Sequence, residues 1–197
     1  MSTQRESEST AGGVGQARLL VLRRARLGDL PDIMAIERSS FPTPWSEQDV
    51  RREITAGEGS AYLVAEVVQG DEHEIAGYVG AWLYAGEVHI LTLAVHQRWR
   101  KQGLGERLML EVLNHAATKG CDRAVLEYRV SNKAAAALYA KLGFKPVAIR
   151  PHYYIDNGED AVSALMDDLA TPQRQQILNR LRKEWEQRHD WQVVSSL

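Results

Sequence analysis

The pattern of apolar and polar positions along the chain predicts short strands alternating with amphipathic helices. Period-two alternation and short apolar runs predict strands over residues 18–26, 61–68, 75–84, 87–96, 122–130, 144–155 and 159–169. Helical periodicity, capping residues and terminal glycines predict helices over residues 29–40, 46–56, 105–119 and 132–142. Asp29 and Ser46 are the expected N-caps of the first two helices. This order predicts a mixed α/β layer built around one open sheet.

The two ends of the chain differ in character from the region between them, residues 18–170. Residues 1–17 are rich in Ser, Thr, Gly and charge and lack the apolar core of a signal peptide, so we predict a disordered leader. Residues 171–197 are predicted to form an amphipathic helical tail. Its apolar stripe is Ile177, Leu178, Leu181 and Trp185. A helix packed on its own domain is favoured over one that docks another partner.

Composition limits the classes of function. Apolar residues make up 44% of the 197 positions, enough for a packed core, and no apolar run is long enough to span a membrane. The net charge of -2 gives no strong field toward nucleic acid or an anionic membrane, so neither is expected as a direct partner. The single cysteine, Cys121, cannot form an internal disulfide, which favours a reducing, cytoplasmic location. His89 and His96 have no second ligand at metal spacing, so they are interpreted as structural or exposed and no metal is expected.

A glycine-containing loop precedes the third predicted helix. Its sequence is Arg100-Lys101-Gln102-Gly103-Leu104-Gly105. A helix N-terminus presents several backbone N–H donors to a pyrophosphate, and glycines let a ligand approach the backbone closely. Leu108 stands where a dinucleotide fingerprint has its third glycine, and no Gly-Lys-Ser/Thr follows as in a P-loop. A simple tight turn is the alternative interpretation.

Glu127 and Tyr139 are the candidate proton-transfer residues. Glu127 lies on a strand with Val125 and Arg129 on the same face, so it is either a general base, a solvated acid or a partner of Arg129. Tyr139 is either a phenolic acid for a departing thiolate or a packed helical tyrosine. Asn132, two helical turns before Tyr139, is either a helix cap or a hydrogen-bond partner for an amide of a cofactor.

Together these segments resemble the GNAT acyl-CoA N-acyltransferase superfamily from about Val21 to Leu169. Residues 100–105 resemble its acetyl-CoA pyrophosphate loop, and residues 131–144 resemble the motif that follows it. Residues 41–46, Phe-Pro-Thr-Pro-Trp-Ser, are similar to the first-helix loop of protein N-terminal acetyltransferases, and residues 150–161 are similar to their peptide-facing hairpin. Within that branch the chain most resembles the RimI group of bacterial ribosomal-protein alanine N-acetyltransferases. His96-Gln97 departs from the Asp-Pro that relatives often carry.

The resemblance implies a fold, a co-substrate and residue roles. It implies a mostly antiparallel central sheet with a splayed strand pair that holds acetyl-CoA, without a metal. Glu127 would accept the proton of the attacking amine and Tyr139 would protonate the leaving thiolate. The implied acetyl-CoA contacts are Leu93, Ala94, Val95, Arg100, Lys101, Gln102, Gly103, Leu104, Gly105, Glu106 and Asn132. The implied acceptor contacts are Phe41, Pro42, Tyr153 and Tyr154.

The function implied by the resemblance is acetylation of an N-terminal alanine, on a small-subunit ribosomal protein, by a monomer or weak dimer. Two alternatives stay open. One is acetylation of another amine: a lysine side chain, a polyamine or a small molecule. The other is a non-catalytic acetyl-CoA-binding interaction module. A narrow slot between the aromatic residues of the 41–45 loop and of the Tyr153–Tyr154 hairpin would favour an extended N-terminus, whereas an open acidic bowl would favour a polycation.

Overall fold

The computed structural model of the protein describes residues 18–197, so the predicted leader at residues 1–17 lies outside the described residues. The helices are α1 (Leu30–Ser40), α2 (Glu47–Thr55), α3 (Leu104–Thr118), α4 (Lys133–Leu142) and α5 (Pro172–Arg188). The strands are β1 (Leu19–Arg24), β2 (Ser60–Gln69), β3 (Glu72–Tyr84), β4 (Glu87–Val95), β5 (Arg123–Arg129), β6 (Lys145–Tyr154), β7 (Glu159–Met166) and β8 (Gln192–Ser196). None of the helices within residues 18–197 is both long enough and apolar enough to cross a membrane.

The eight strands form one open mixed sheet in the order β6-β7-β5-β4-β3-β2-β1-β8. Neighbouring strands are antiparallel except in the pairs β4–β5 and β1–β8, which are parallel. The prediction of a mixed, mostly antiparallel sheet is therefore confirmed. The pair β4–β5 is joined by a crossover that contains α3, whereas β1 and β8 are the first and last strands of the described chain.

Two hydrophobic clusters pack on the sheet, and helices cover them. The larger cluster includes Leu108 and Leu113 of α3, and it extends to Trp185 of α5. The smaller cluster is formed by α1, α2 and side chains of β2 and β3, with Ala94 of β4 among them. β4 thus contributes to both clusters, because its apolar residues occupy both faces.

The parallel pair β4–β5 separates halfway along its length. The two strands are paired only from Glu87 with Arg123 to Ile90 with Leu126. At that point β4 also carries a bulge against β3, because Gly80 pairs with Thr92 and Ala81 with Ile90. Leu91 is therefore left without a counterpart, and a bulge of this kind bends its strand. The separation opens a cleft in the middle of the sheet, which confirms the predicted splayed strand pair.

Two local features differ from the sequence-based expectation. The Asp29 carboxylate does not cap α1. It instead accepts the backbone N–H of Arg26 at 2.7 Å and two bonds from the Arg23 guanidinium at 2.7 and 2.8 Å. The tail is also not helical throughout, because β8 follows α5 and extends the sheet beside β1. A five-residue strand at the end of a helical segment carries little periodic signal, so the sequence did not predict it.

Candidate active site

The cleft between β4 and β5 has a volume of about 410 Å³. Its walls come from the end of α1 and the following loop, from residues 90–93 of β4, from residues 127–129 of β5, and from α4 and β6. Five aromatic side chains line it: Phe41, Trp45, Tyr128, Tyr139 and Tyr154. Its charged lining residues within the described chain are Glu37, Glu127 and Arg129. The cleft is therefore mainly aromatic, with few charges.

Glu127 lies on β5 where the strand leaves β4. Its side chain is 12% exposed, and its carboxylate contacts three side chains: His89 Nε2 at 2.8 Å, Ser163 Oγ at 3.2 Å and Arg150 Nη1 at 3.4 Å. Arg129 does not pair with Glu127, which removes one of the alternatives that the sequence left open. The carboxylate is partly buried, held by hydrogen bonds, and oriented toward the cleft.

His89 is a neighbour of Glu127 that the sequence analysis did not associate with it. In the β4–β5 register His89 lies opposite Val125, and Glu127 is the next residue of β5 on the same face as Val125. The imidazole is 35% exposed, so the side chain that contacts the Glu127 carboxylate is itself partly accessible to solvent. Only the strand register brings the two residues together, since 38 positions separate them in the sequence.

Tyr139 lies on α4 and is almost completely buried, with 8% of its surface exposed. Its ring centroid is 5.5 Å from that of Tyr128 and 5.9 Å from that of Phe144. Burial raises the pKa of the Tyr139 phenol, and the nearby Tyr154 and Tyr128 raise it further. The phenol is consequently protonated at neutral pH, and it lies in the wall of the cleft.

The loop between α1 and α2 forms one wall of the cleft. Two prolines exclude a helix there, so α1 ends at Ser40, and Ser46 caps α2 by accepting the Asp49 backbone N–H at 3.1 Å. The predicted acceptor residues Phe41 and Pro42 both line the cleft.

A buried acid of α1, Glu37, holds this loop through a hydrogen bond to its backbone. Its carboxylate is 1% exposed, accepts the backbone N–H of Trp45 at 2.8 Å and accepts a hydrogen bond from the Tyr78 hydroxyl. Burial raises the pKa of Glu37, although the bond from Trp45 partly opposes the shift. Sequence reasoning did not identify Glu37, because one acid on an amphipathic helix has no distinctive pattern.

The β6–β7 hairpin forms the opposite wall with only one of its two predicted tyrosines. Tyr154 lines the cleft, and burial raises its pKa to about 12. The Arg129 guanidinium lies 3.8 Å from the centre of the Tyr154 ring and also pairs with Asp156 at 2.8 Å. Tyr153 is not among the cleft-lining residues; it is 42% exposed and packs edge-on against Tyr154.

The glycine loop leads into α3 at one end of the cleft. Lys101 and Gly103 have positive φ values of 61° and 78°, and Gly103 is the N-cap residue of α3. A Cβ added to Gly105 would make only ordinary van der Waals contacts, at 3.8 Å from Val95 and 3.9 Å from Leu93. A pyrophosphate facing this turn would meet the free N–H groups of the first turn of α3.

The other predicted acetyl-CoA residues lie in the cleft wall, at the end of β4, and in the loop and first turn of α3. Leu93 and Asn132 line the cleft, and Asn132 Oδ1 accepts the Ala135 backbone N–H at 3.0 Å as the cap of α4. Arg100 bonds the Val95 carbonyl at 3.0 Å, and Glu106 pairs with Lys141 at 2.6 Å. The remaining six lie outside the cleft lining: Ala94 and Val95 end β4, Lys101 and Gln102 precede α3, and Leu104 and Gly105 begin it.

An extended, amide-containing group fits the edge of β4 beyond Ile90. Along residues 91–95, β4 pairs with β3 on one side only. The backbone N–H and C=O groups on its other edge, which faces the cleft, pair with no strand of the described chain. The hydroxyl of Thr92 is buried beside the cleft without a hydrogen-bond partner in residues 18–197. These groups match the amides of a pantetheine arm. Within the same residues, no cluster of three His, Cys, Asp or Glu side chains is arranged to hold a metal ion.

The chain is similar in sequence to a known family and to individual acetyltransferases. Residues 30–144 match the model of the Acetyltransferase (GNAT) family. A Bacillus subtilis protein named "Putative ribosomal protein bS18-alanine N-acetyltransferase" is 38% identical over 141 residues, covering 72% of this chain and 91% of that protein. The ribosomal protein bS18-alanine N-acetyltransferase of Escherichia coli K12 is 32% identical over 136 residues, covering 68% and 88%.

A solved structure shows the same fold. The crystal structure of the Escherichia coli ribosomal-protein-S18-alanine N-acetyltransferase superimposes with a TM-score of 0.67 at 29% identity, over 75% of this chain and 93% of that one. Arabidopsis thaliana NAA60, solved in complex with acetyl-CoA, has a TM-score of 0.68 at 22% identity and supports the fold. The fold expected from the sequence is therefore confirmed.

Proposed function

This chain belongs to the GNAT family of acetyltransferases, and from that premise we propose that it acetylates a protein N-terminus. The donor is acetyl-CoA, and the proposed acceptor is the α-amine of an N-terminal alanine on a small-subunit ribosomal protein. The names of the Bacillus subtilis and Escherichia coli relatives support this acceptor. The proposed location is the cytoplasm, where ribosomal proteins are made.

The observation that carries the proposal is the composition of the cleft. Phe41 and Trp45 on one side and Tyr154 on the other form aromatic walls, while the carboxylates present are Glu37 and Glu127. Glu37 is 1% exposed and is held beneath the loop by the Trp45 N–H and the Tyr78 hydroxyl, whereas the Glu127 side chain is 12% exposed where β5 leaves β4, so Glu127 is the more accessible carboxylate. A slot with one available acid suits a single amine on an extended chain better than it suits a polycation.

In the proposed reaction, the neutral amine attacks the thioester carbonyl of acetyl-CoA and the thiolate of coenzyme A leaves. Glu127 accepts the proton that the attacking nitrogen loses, directly or through a water molecule. Tyr139 gives its proton to the departing sulfur, so that the products are an amide and a free thiol. Backbone N–H groups near Val95 polarise the carbonyl during attack.

The remaining residues of the site hold the donor in this proposal. Leu93, Ala94 and Val95 bind the pantetheine arm through the unpaired edge of β4, and Asn132 contributes its side-chain amide. The loop from Arg100 to Glu106 binds the pyrophosphate at the start of α3.

An α-amine suits the chemistry available at Glu127. With a pKa of about 8, roughly a tenth of an α-amine is neutral at pH 7, whereas less than about a thousandth of a lysine with pKa ~10.4 is neutral. A single partly buried carboxylate is therefore a sufficient base for an N-terminus.

The acceptor is tested by mass spectrometry of a peptide panel incubated with the protein and acetyl-CoA. The panel contains peptides that begin with Ala, Ser, Met or Gly, an N-blocked lysine peptide, and a polyamine. The proposal predicts acetylation of free N-termini, strongest on Ala. Acetylation confined to lysine or the polyamine would overturn the acceptor while keeping the enzyme class. Binding of acetyl-CoA without any transfer, even to intact ribosomal proteins, would favour a non-catalytic binding module.

The proton-transfer roles are tested by two substitutions. Tyr139→Phe should lower turnover at least about tenfold with little change in acetyl-CoA affinity, because only the donated proton is lost. Glu127→Gln should also lower turnover at least about tenfold with little change in acetyl-CoA affinity, because an amide cannot accept the proton, and wild-type turnover in this variant would clear Glu127 of the base role. Tyr84→Phe is the matched control, since Tyr84 is 83% exposed at the far end of β3 and its change should leave turnover unchanged. Wild-type turnover in the Tyr139 variant would remove that residue from the mechanism.

A further inference from the structure

The C-terminal segment, residues 172–196, lies directly on the glycine loop. Trp185 of α5 is completely buried, and its indole N–H donates to the Gly103 carbonyl at 2.9 Å. The His189 ring stacks on the Trp185 indole, with 4.5 Å between centroids and an interplanar angle of 24°. A Cβ added to Gly103 would clash with Trp185 Nε1 and would lie 2.6 Å from His189 Nε2. Two rings of the C-terminal segment therefore cover the residue at which α3 begins.

Further contacts tie the same segment to α3. Arg188 pairs with Glu106 at 3.3 Å, and Glu186 lies 3.6 Å from the buried Arg107. Beyond α5, Ser195 of β8 donates to Glu111 at 2.5 Å while β8 pairs with β1. The segment is thus anchored both at the start of α3 and further along it.

These contacts determine the direction of a backbone donor. The Gly103 carbonyl oxygen accepts two hydrogen bonds, from the Arg107 backbone N–H at 3.0 Å and from the Trp185 indole. Since a peptide unit is planar, fixing this carbonyl also fixes the N–H of Leu104 in the same plane. That N–H belongs to the first turn of α3, where N–H groups have no partner within the helix.

We propose that Trp185 and His189 are positioning residues for acetyl-CoA. They hold Gly103 in its left-handed conformation, so that the first N–H groups of α3 point at the pyrophosphate before the ligand arrives. A donor set that is already oriented costs no ordering when the ligand binds. This inference rests on the acetyl-CoA site of the proposed function and adds the C-terminal segment to it; it is independent of which amine is the acceptor.

The test is Trp185→Phe, which keeps an aromatic ring and removes the N–H bond to Gly103. Calorimetric titration with coenzyme A, without any acceptor, should give a dissociation constant about three- to tenfold higher than that of the wild type. The KM for acetyl-CoA should rise by a similar factor with kcat nearly unchanged. The amides of residues 104–107 should exchange with deuterium faster in the free variant. Trp191→Phe is the matched control, because that ring packs on Trp99 at 5.9 Å and not on Gly103.

A second measurement uses the unmodified protein, so it does not depend on a variant that folds. Coupling between two sites is reciprocal, so coenzyme A should slow deuterium exchange around residues 185–190 as well as in the loop. An unchanged dissociation constant in a folded Trp185→Phe variant would overturn the inference, and so would tighter binding, which would mean that the segment obstructs the site. A wrong acceptor assignment would leave both binding measurements intact, so the two failures are distinguishable.

Discussion

Gly103→Ala is the substitution for which the structure predicts a large loss of stability at a surface loop. Gly103 has φ of 78°, a conformation that is about 1–2 kcal/mol less favourable for a residue with a Cβ. The new methyl group would also clash with the indole nitrogen of Trp185, which is fully buried. Displacing that indole loses its hydrogen bond, about 0.5–1.5 kcal/mol, and strains the packing of α5, about 1–3 kcal/mol.

Gly120 provides the matched control for this substitution. It follows α3 at the other end, has φ of 84°, and has nothing within 4 Å of an added Cβ. Gly120→Ala should therefore cost only the conformational term, about 1–2 kcal/mol. The free energy of unfolding measured in urea should therefore be lower for Gly103→Ala than for Gly120→Ala by about 1.5–4.5 kcal/mol, at an unchanged m-value. Equal losses in the two variants would refute the tight contact between the loop and α5.

Two further predictions concern buried charges. Arg23→Met should lower the free energy of unfolding by about 3–5 kcal/mol at neutral pH, because the Arg23 side chain is 11% exposed and its removal takes away the guanidinium that pairs with the partly buried carboxylates of Asp29 and Glu66. Burial alone would raise the pKa of Asp29, but hydrogen bonds from Arg23 and from the Arg26 backbone lower it. The stabilisation from this lowered pKa is present above the unfolded pKa of 3.8 and is lost as pH falls. The loss of unfolding free energy caused by Arg23→Met, measured by urea unfolding, should therefore be smaller in acid. A loss that does not change with pH would contradict the reasoning. The pKa of Glu37 is raised by burial, so wild type should lose stability as pH rises above the unfolded value of 4.5, whereas Glu37→Gln should not. A stability difference that stays constant between acid and neutral pH would show that Glu37 is not the group responsible.

Local structure was largely predictable because its causes lie within a few residues. Ser46 caps α2 through the N–H three positions on, Gly103 and Gly143 adopt positive φ at the ends of helices, and two prolines keep the 41–45 loop out of α1. Asp29 shows the limit of this reasoning. It looks like an N-cap in the sequence, yet Arg23 on the neighbouring strand attracts its carboxylate away from α1.

The candidate site was predictable as a set of residues but not as an arrangement. Glu127 and Tyr139 were identified from residue type and position, and both line the cleft. The partner of Glu127 was not, because His89 reaches it only through the register of two strands that are not consecutive in the sequence. Tyr153 and Tyr154 are consecutive residues of β6, so their side chains point to opposite faces, and the structure shows that Tyr154 is the one that lines the cleft.

The sequence by itself determined the helices and strands of the core, the glycine turn into α3 and the choice of Glu127 and Tyr139 as candidate proton-transfer residues. Those features follow from periodicity, capping and side-chain chemistry, which act over one or two turns of chain. Only the tertiary structure decided where β4 and β5 separate, that β8 joins β1, and that Trp185 covers Gly103, 82 positions away. These arrangements depend on which distant surfaces pack together, and the burial that selects them is a property of the whole folded core.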